Sequence, residues 1–181
     1  MRDWSEFLKS HTPSTRLRDE LAAIRACELA LRAASLGTYG VGAVVLDASG
    51  KIVIEGYNEV HVGGFRSDLH AEMVVVNEFE RTFLGDDQDP GSFTLVSSLE
   101  PCPMCMTRLI FSRIGRIRHV CEDRIGGMVQ RKSSLPPVFR EITESLLQEW
   151  GLAECSDELR EAAFHIWDAS REELDRKLLP K

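Results

Sequence analysis

Long apolar runs are missing from this chain: nowhere do its 181 residues approach eighteen consecutive apolar positions, so the sequence offers no membrane-spanning helix. Met1 to Arg16 contains no apolar run of signal-peptide length, and the expected location is the cytoplasm. Cysteine is scarce and odd in number, five in all, which excludes a disulfide framework as the basis of the fold and fits a reducing compartment. Positive charge is in deficit. A formal net charge of −7 argues against a protein that coats nucleic acid, while leaving room for a local basic patch. Internal repeats and low-complexity segments are also absent.

What is present reads as an ordinary globular chain, with 43% apolar and 28% charged residues. Its length predicts one domain over residues 1–181, large enough to bury a core without staples. The charges are unevenly placed. Arg108 to Arg140 carries eight basic residues against two acidic ones, whereas Glu141 to Lys181 carries eleven acidic against five basic. A polyanion would meet the first segment and be repelled by the second.

The most informative stretch is Ser98-Leu-Glu-Pro-Cys102-Pro-Met-Cys105-Met. Two cysteines at i and i+3 at a helix start point their sulfurs the same way, which suits a tetrahedral metal with sulfur ligands at about 2.3 Å. By itself the pair is also compatible with a redox dithiol or half of a zinc ribbon. Upstream, His70-Ala71-Glu72 follows a glycine-bearing loop. One imidazole and two thiolates make three protein ligands and leave the fourth zinc position open, as a catalytic site requires. Glu72, two residues past the histidine, is then free to carry protons.

His70-Ala71-Glu72, followed about thirty residues later by Glu100-Pro-Cys102-Pro-Met-Cys105, resembles the zinc-dependent cytidine deaminase superfamily. Within it, the sequence is most similar to the branch holding tRNA adenosine deaminases, guanine deaminases and fungal-type cytosine deaminases. The resemblance spans roughly residues 20 to 125 and extends to Val41-Gly-Ala-Val-Val, Asn58 and Ser112-Arg-Ile-Gly-Arg-Ile. It implies an α/β, three-layer cytidine-deaminase-like fold with a mixed central sheet of about five strands flanked by helices. It also implies one catalytic zinc on His70, Cys102 and Cys105, Glu72 as proton carrier, and a homodimer. Asn58, Phe65, Ala71, Glu122, Asp123 and Trp167 form the expected substrate-facing set.

In chain order, residues 1 to 16 predict an arm or a short helix around Asp3 to Leu8, and Leu17 to Leu36 a core-covering helix stopped by Gly37. Val41 to Leu46 and Ile52 to Ile54 read as a hairpin around Asp47-Ala-Ser-Gly50. Asn58 to Leu69 is a loop; taken alone, Asn58 reads as an Asx turn, and the resemblance makes it a substrate contact. Val74-Val75-Val76 has strand propensity, yet the length and apolar stripe of His70 to Phe83, with the resemblance, predict a helix capped by Ser67 or Asp68. Leu84 to Gly91 reads as a solvated loop. Strand, helix and strand follow over Ser92 to Ser98, Cys102 to Arg113 and Ile117 to Cys121, a unit that implies a parallel pair. An amphipathic stretch from Val138 to Leu147, a fifth strand near Trp150 to Glu154 and a final helix capped by Ser156 or Asp157 and running to about Leu179 complete the chain. The zinc core thus covers about residues 20–125 and the C-terminal helical part about 138–179.

The implied reaction is hydrolytic removal of an exocyclic amine from a ring carbon as ammonia. Glu100 is expected to support the site without taking part in chemistry, and Phe65, Phe164, His165 and Trp167 are aromatic candidates for its walls. A tRNA deaminase of this branch is expected to carry a basic C-terminal helix for phosphates, and this C-terminus is acidic. The expected partner is therefore a small nucleobase or nucleoside, guanine- or cytosine-like, with tRNA as the alternative. Two rival classes remain: a thiol-disulfide oxidoreductase, which leaves His70 and Glu72 without work, and a structural zinc module, whose fourth ligand would be His61 or Cys121. Cys27, Cys121 and Cys155 are expected as buried small hydrophobes.

Overall fold

The computed structural model describes residues 3–84 and 88–178. Six helices, α1 (Trp4–Ser10), α2 (Glu20–Ser35), α3 (Ala71–Phe83), α4 (Pro103–Ser112), α5 (Pro137–Ser145) and α6 (Asp157–Leu178), surround one sheet. Its strands are β1 (Gly42–Leu46), β2 (Ile52–Tyr57), β3 (Thr94–Leu99), β4 (Arg116–Cys121) and β5 (Glu149–Leu152). Of the loop expected over Leu84 to Gly91, residues 85–87 lie outside the described residues.

The strand order is β2-β1-β3-β4-β5. β1 pairs antiparallel with β2 and β3, whereas β3, β4 and β5 run parallel, so the sheet is mixed as expected. The direction of β5, open in the sequence, is set by the crossover through α5. Parallel neighbours need such a connection, and it brings the C-terminal ends of β3 and β4 together where ligands meet α/β sheets.

Alternate residues along a strand face opposite layers, and two glycines show how tightly each layer is covered. A Cβ on Gly42 would lie 2.3 Å from the Ala26 carbonyl oxygen of α2, and one on Gly56 would lie 2.8 Å from Val75 Cγ1 of α3. Small residues on α2, among them Ala22, Ala23, Ala26, Ala30 and Ala33, are buried and let that helix approach the sheet closely. α3 forms despite its valine triplet because Val75, Val76 and Phe79 are fully buried against the sheet, and this burial outweighs β-branched propensity. Its N-cap position is His70, not Ser67 or Asp68, since the loop stays irregular up to the histidine. α5 has no buried residue and packs only the partly exposed Phe139 and Ile142 on Met106, Ile110 and Leu135. α6 is tied to the strand ends by Arg160, which donates to the carbonyls of Val120, Ala153 and Cys155. Cys27, Cys121 and Cys155 are all buried. Among the described residues, no helix is long and apolar enough to cross a membrane.

Candidate active site

Two helix starts meet in front of the parallel strands. His70 is at the N-cap position of α3 and Cys102 at that of α4, with Glu72 and Cys105 within the first turn of each. Pro103 at the first position of α4 has the φ a helix needs and no N–H to satisfy. His70 Nδ1 lies 3.7 Å from Cys102 Sγ and 3.5 Å from Cys105 Sγ, and the sulfurs are 3.6 Å apart. A tetrahedral zinc with S and N ligands at about 2.3 and 2.0 Å separates them by about 3.5 to 3.8 Å, so donor set and spacing both fit the ion. Among the described residues the cluster consists of these three, positioned to bind a metal. His61 and Cys121, the candidates for a fourth structural ligand, stand apart from it.

The side chains by themselves are polarised for this task. Cys102 is brought down to about 4, first by its hydrogen bond with Cys105 and then by His70, while Cys105 is pushed up by the same bond and by burial. Burial works to lower His70, but its contact with Cys102 and the charge of Glu72 raise it overall. Glu72, 3% exposed, is raised above the ordinary carboxylate range by burial and then by the nearby Cys102 charge. Ser97 Oγ donates to Glu72 Oε1 at 3.3 Å, and Glu72 Oε2 is 3.5 Å from Cys105 Sγ. A buried carboxyl with a raised affinity for protons, beside a metal site, suits a group that takes and returns them.

A cleft of about 320 Å³ opens over these residues, at the small end of the range of about 300 to 1,000 Å³ for ligand sites. His70, Glu72 and Cys102 form its floor; Asn58, Phe65, Leu99 and Asp123 line it, and Tyr39, Trp167, Arg171 and Asp175 complete the wall. Asp123 Oδ1 accepts from the N–H groups of Ile125 and Gly126, both at 2.9 Å. Glu100 holds this loop, accepting from the N–H groups of Asp123 at 3.1 Å and Gln130 at 2.9 Å. Gly127 is required here, because a Cβ on it would lie 2.4 Å from Glu100 Cδ.

Not every expected neighbour is brought in. Glu122 does not line the cleft: the alternation that turns Asp123 inward directs Glu122 to a second groove, which shares Ile125, Trp167 and Arg171 with it. Phe164 borders that same groove, and His165 stacks on Trp4 at 5.3 Å. Ala71 is fully buried behind the wall. Conversely, Tyr39, Arg171 and Asp175 escape sequence reasoning. They join through contacts across 136 residues, Tyr39 Oη donating to Asp175 Oδ1 at 3.2 Å, and the helical segment carrying the two charged residues has no motif of its own.

Comparison with known proteins places this geometry. A tRNA-specific adenosine deaminase of Haemophilus influenzae is 31% identical over 148 residues, 78% of this chain and 80% of that one. A tRNA-specific adenosine deaminase of Bacillus subtilis is 34% identical over 110 residues, 61% of this chain and 66% of that one. In structure, a guanine deaminase from Nitrosomonas europaea superimposes with a TM-score of 0.64 at 19% identity, covering 94% of this chain and 93% of its own, a likeness of fold. Residues 17–121 match the cytidine and deoxycytidylate deaminase zinc-binding region, the segment that holds His70, Cys102 and Cys105. By that match and its close agreement with the three-ligand geometry, the chain belongs to the cytidine and deoxycytidylate deaminase zinc-binding family.

Proposed function

We propose that this chain is a single-domain hydrolytic deaminase that removes the exocyclic amine of a small heterocycle, a guanine- or cytosine-like free base or nucleoside, as ammonia. His70, Cys102 and Cys105 would hold a zinc ion, and that ion when bound would supply Lewis-acid activation of water beside Glu72. Glu72 accepts the proton of the attacking water and delivers protons to the ring nitrogen and the departing amine. Asn58 and Asp123 orient the ring by hydrogen bonds, and Phe65 and Trp167 flank its plane.

One observation carries the preference for a small substrate: α6 walls the cleft through Trp167, Arg171 and Asp175, and this helix holds seven acidic residues against four basic. Arg171 is no phosphate anchor, since it is bracketed by Asp168 and Asp175, each at 3.1 Å. The basic segment is partly spent as well. Arg108 pairs with Glu80, Arg118 with Glu149, Arg116 donates to Thr94, and Arg131 to the carbonyls of Arg124 and Ile125. A second reading, adenosine in a tRNA anticodon loop, is favoured by the sequence relatives.

Ammonia release by the zinc-loaded protein is the test, over free bases, nucleosides and a tRNA anticodon stem-loop. The expected outcome is turnover of a small compound, reduced at least about a hundredfold in Glu72→Ala with zinc content unchanged. Activity confined to the stem-loop replaces the first reading with the second. The same proposal includes a homodimer, supported by the exposed apolar Met104, Phe111 and Val138 around α4 and α5; light scattering is expected to give the mass of two chains.

A further inference from the structure

We propose that Thr38 is a positioning residue of the cleft: its hydroxyl locks the Asn58 amide so that only the Nδ2 side meets the substrate. The enzyme therefore selects heterocycles that present a hydrogen-bond acceptor, a carbonyl oxygen or a pyridine-type nitrogen, on that edge. This inference rests on the deaminase reading and specifies the substrate that reading left broad.

Asn58 lines the cleft, and its own N–H donates to the Val41 carbonyl at 2.9 Å, which fixes its backbone. The Val60 N–H, 3.1 Å from the side-chain amide, can only donate, so the amide atom facing it must be the oxygen. Thr38 supplies the second constraint. Its Oγ1 accepts from the His61 N–H at 3.3 Å, and, with Oδ1 already set by the Val60 N–H, its hydroxyl donates to Asn58 Oδ1 at 2.6 Å. Both acceptor positions of Oδ1 are thereby filled. Nδ2 is left with two N–H groups for which no described residue is an acceptor.

The lock works because it is dry. Thr38 is 1% exposed and Asn58 2%, so water does not compete for either bond, and a flip would set the NH₂ group against the Val60 N–H and forfeit the bond from the Thr38 hydroxyl to Oδ1. The relay runs from the α2–β1 connection, where Thr38 lies, into the start of the 58–69 loop, so one hydroxyl orients the amide and anchors the loop that carries Phe65. A substrate edge bearing N–H meets a donor it cannot satisfy, whereas an acceptor completes the amide's bonding. This discrimination is encoded upstream of the zinc motif and needs none of its residues.

The test uses zinc-loaded protein with guanine, cytosine and, for each, analogues lacking one acceptor, a ring nitrogen replaced by C–H or the carbonyl oxygen removed. In the wild type, one such deletion is expected to lower kcat/KM about a hundredfold. Thr38→Val is expected to raise KM for the parent compound about tenfold with little change in kcat, and to compress that discrimination; Thr38→Ser restores both. In Asn58→Asp, the same two donors hold one carboxylate oxygen and leave the other as an acceptor, so the preference reverses toward an edge bearing N–H. Zinc per chain and the thermal midpoint verify that each variant is folded. If Thr38→Val fails to fold, Thr38→Ala, which removes the same hydroxyl without adding a methyl group, carries the test. Calorimetric binding of the same pairs to Glu72→Ala reads the ratio without turnover, so loss of the reaction and loss of the lock are distinguishable. An unchanged ratio in Thr38→Val, no rescue by serine, or a retained acceptor preference in Asn58→Asp would overturn the proposal.

Discussion

Among the described residues, His119 has two buried side-chain nitrogens that burial leaves uncompensated. It is fully buried on β4 beside Ser97, and neither ring nitrogen has a hydrogen-bond partner among the described residues. Burial holds its pKa down to about 4, against an ordinary value of 6.5. Between those values the unfolded chain binds a proton that the folded chain refuses, so this residue's contribution to stability falls as pH drops from about 6.5 to about 4. His119→Leu is expected to match the wild type at pH 8 and to exceed it progressively in acid, by up to about 3 kcal/mol, in denaturant unfolding followed across pH. A parallel decline of both proteins would remove His119 as the cause. At this same scale the zinc ligands and Glu72 were legible from spacing, because each pair or triplet lies within one helical turn. The placement of Glu122 was not, since adjacent residues at a strand end face different grooves and one position of twist decides which of them lines the cleft over His70.

Elements were legible where length and periodicity agreed. α3 is the informative case: three consecutive valines favour a strand, and the helix forms because its stripe is buried against the sheet. The turn before α2 and the extension of β2 to Tyr57 escaped, as ends depend on which backbone groups find partners. Gly56 looks like the end of a strand in sequence, yet it lies inside β2 because α3 crosses there too closely for a side chain. The same reasoning makes Gly42 a close seam between α2 and the sheet. Gly42→Ala is expected to destabilise the fold by about 1 to 3 kcal/mol, since the new Cβ meets backbone rather than a movable side chain. A thermal midpoint unchanged from the wild type would show that α2 can slide to make room.

On the scale of the whole molecule, a net charge of −7 and an acidic α6 beside the cleft bear on what can approach it. For an uncharged heterocycle, kcat/KM is expected to change less than about twofold between 50 and 200 mM salt. A polyanion gripped through 6 to 10 phosphates would lose about 10³ to 10⁵ in affinity over that range, so the salt slope of ammonia release separates the two substrate readings without mutagenesis. The sequence by itself determined the metal-ligating triad and most of the run of helices and strands through spacing and periodicity, and the fold class through the family resemblance that its local motifs carry. Only the tertiary structure decided the direction of β5, the partition of Glu122 from Asp123, the lock of Thr38 on Asn58, and the arrival of Tyr39, Arg171 and Asp175 at one wall. These depend on where a crossover returns the chain, on hydrogen bonds between loops and on how closely α6 lies on the sheet, and contacts between segments 20 to 136 residues apart leave no signature in either one alone.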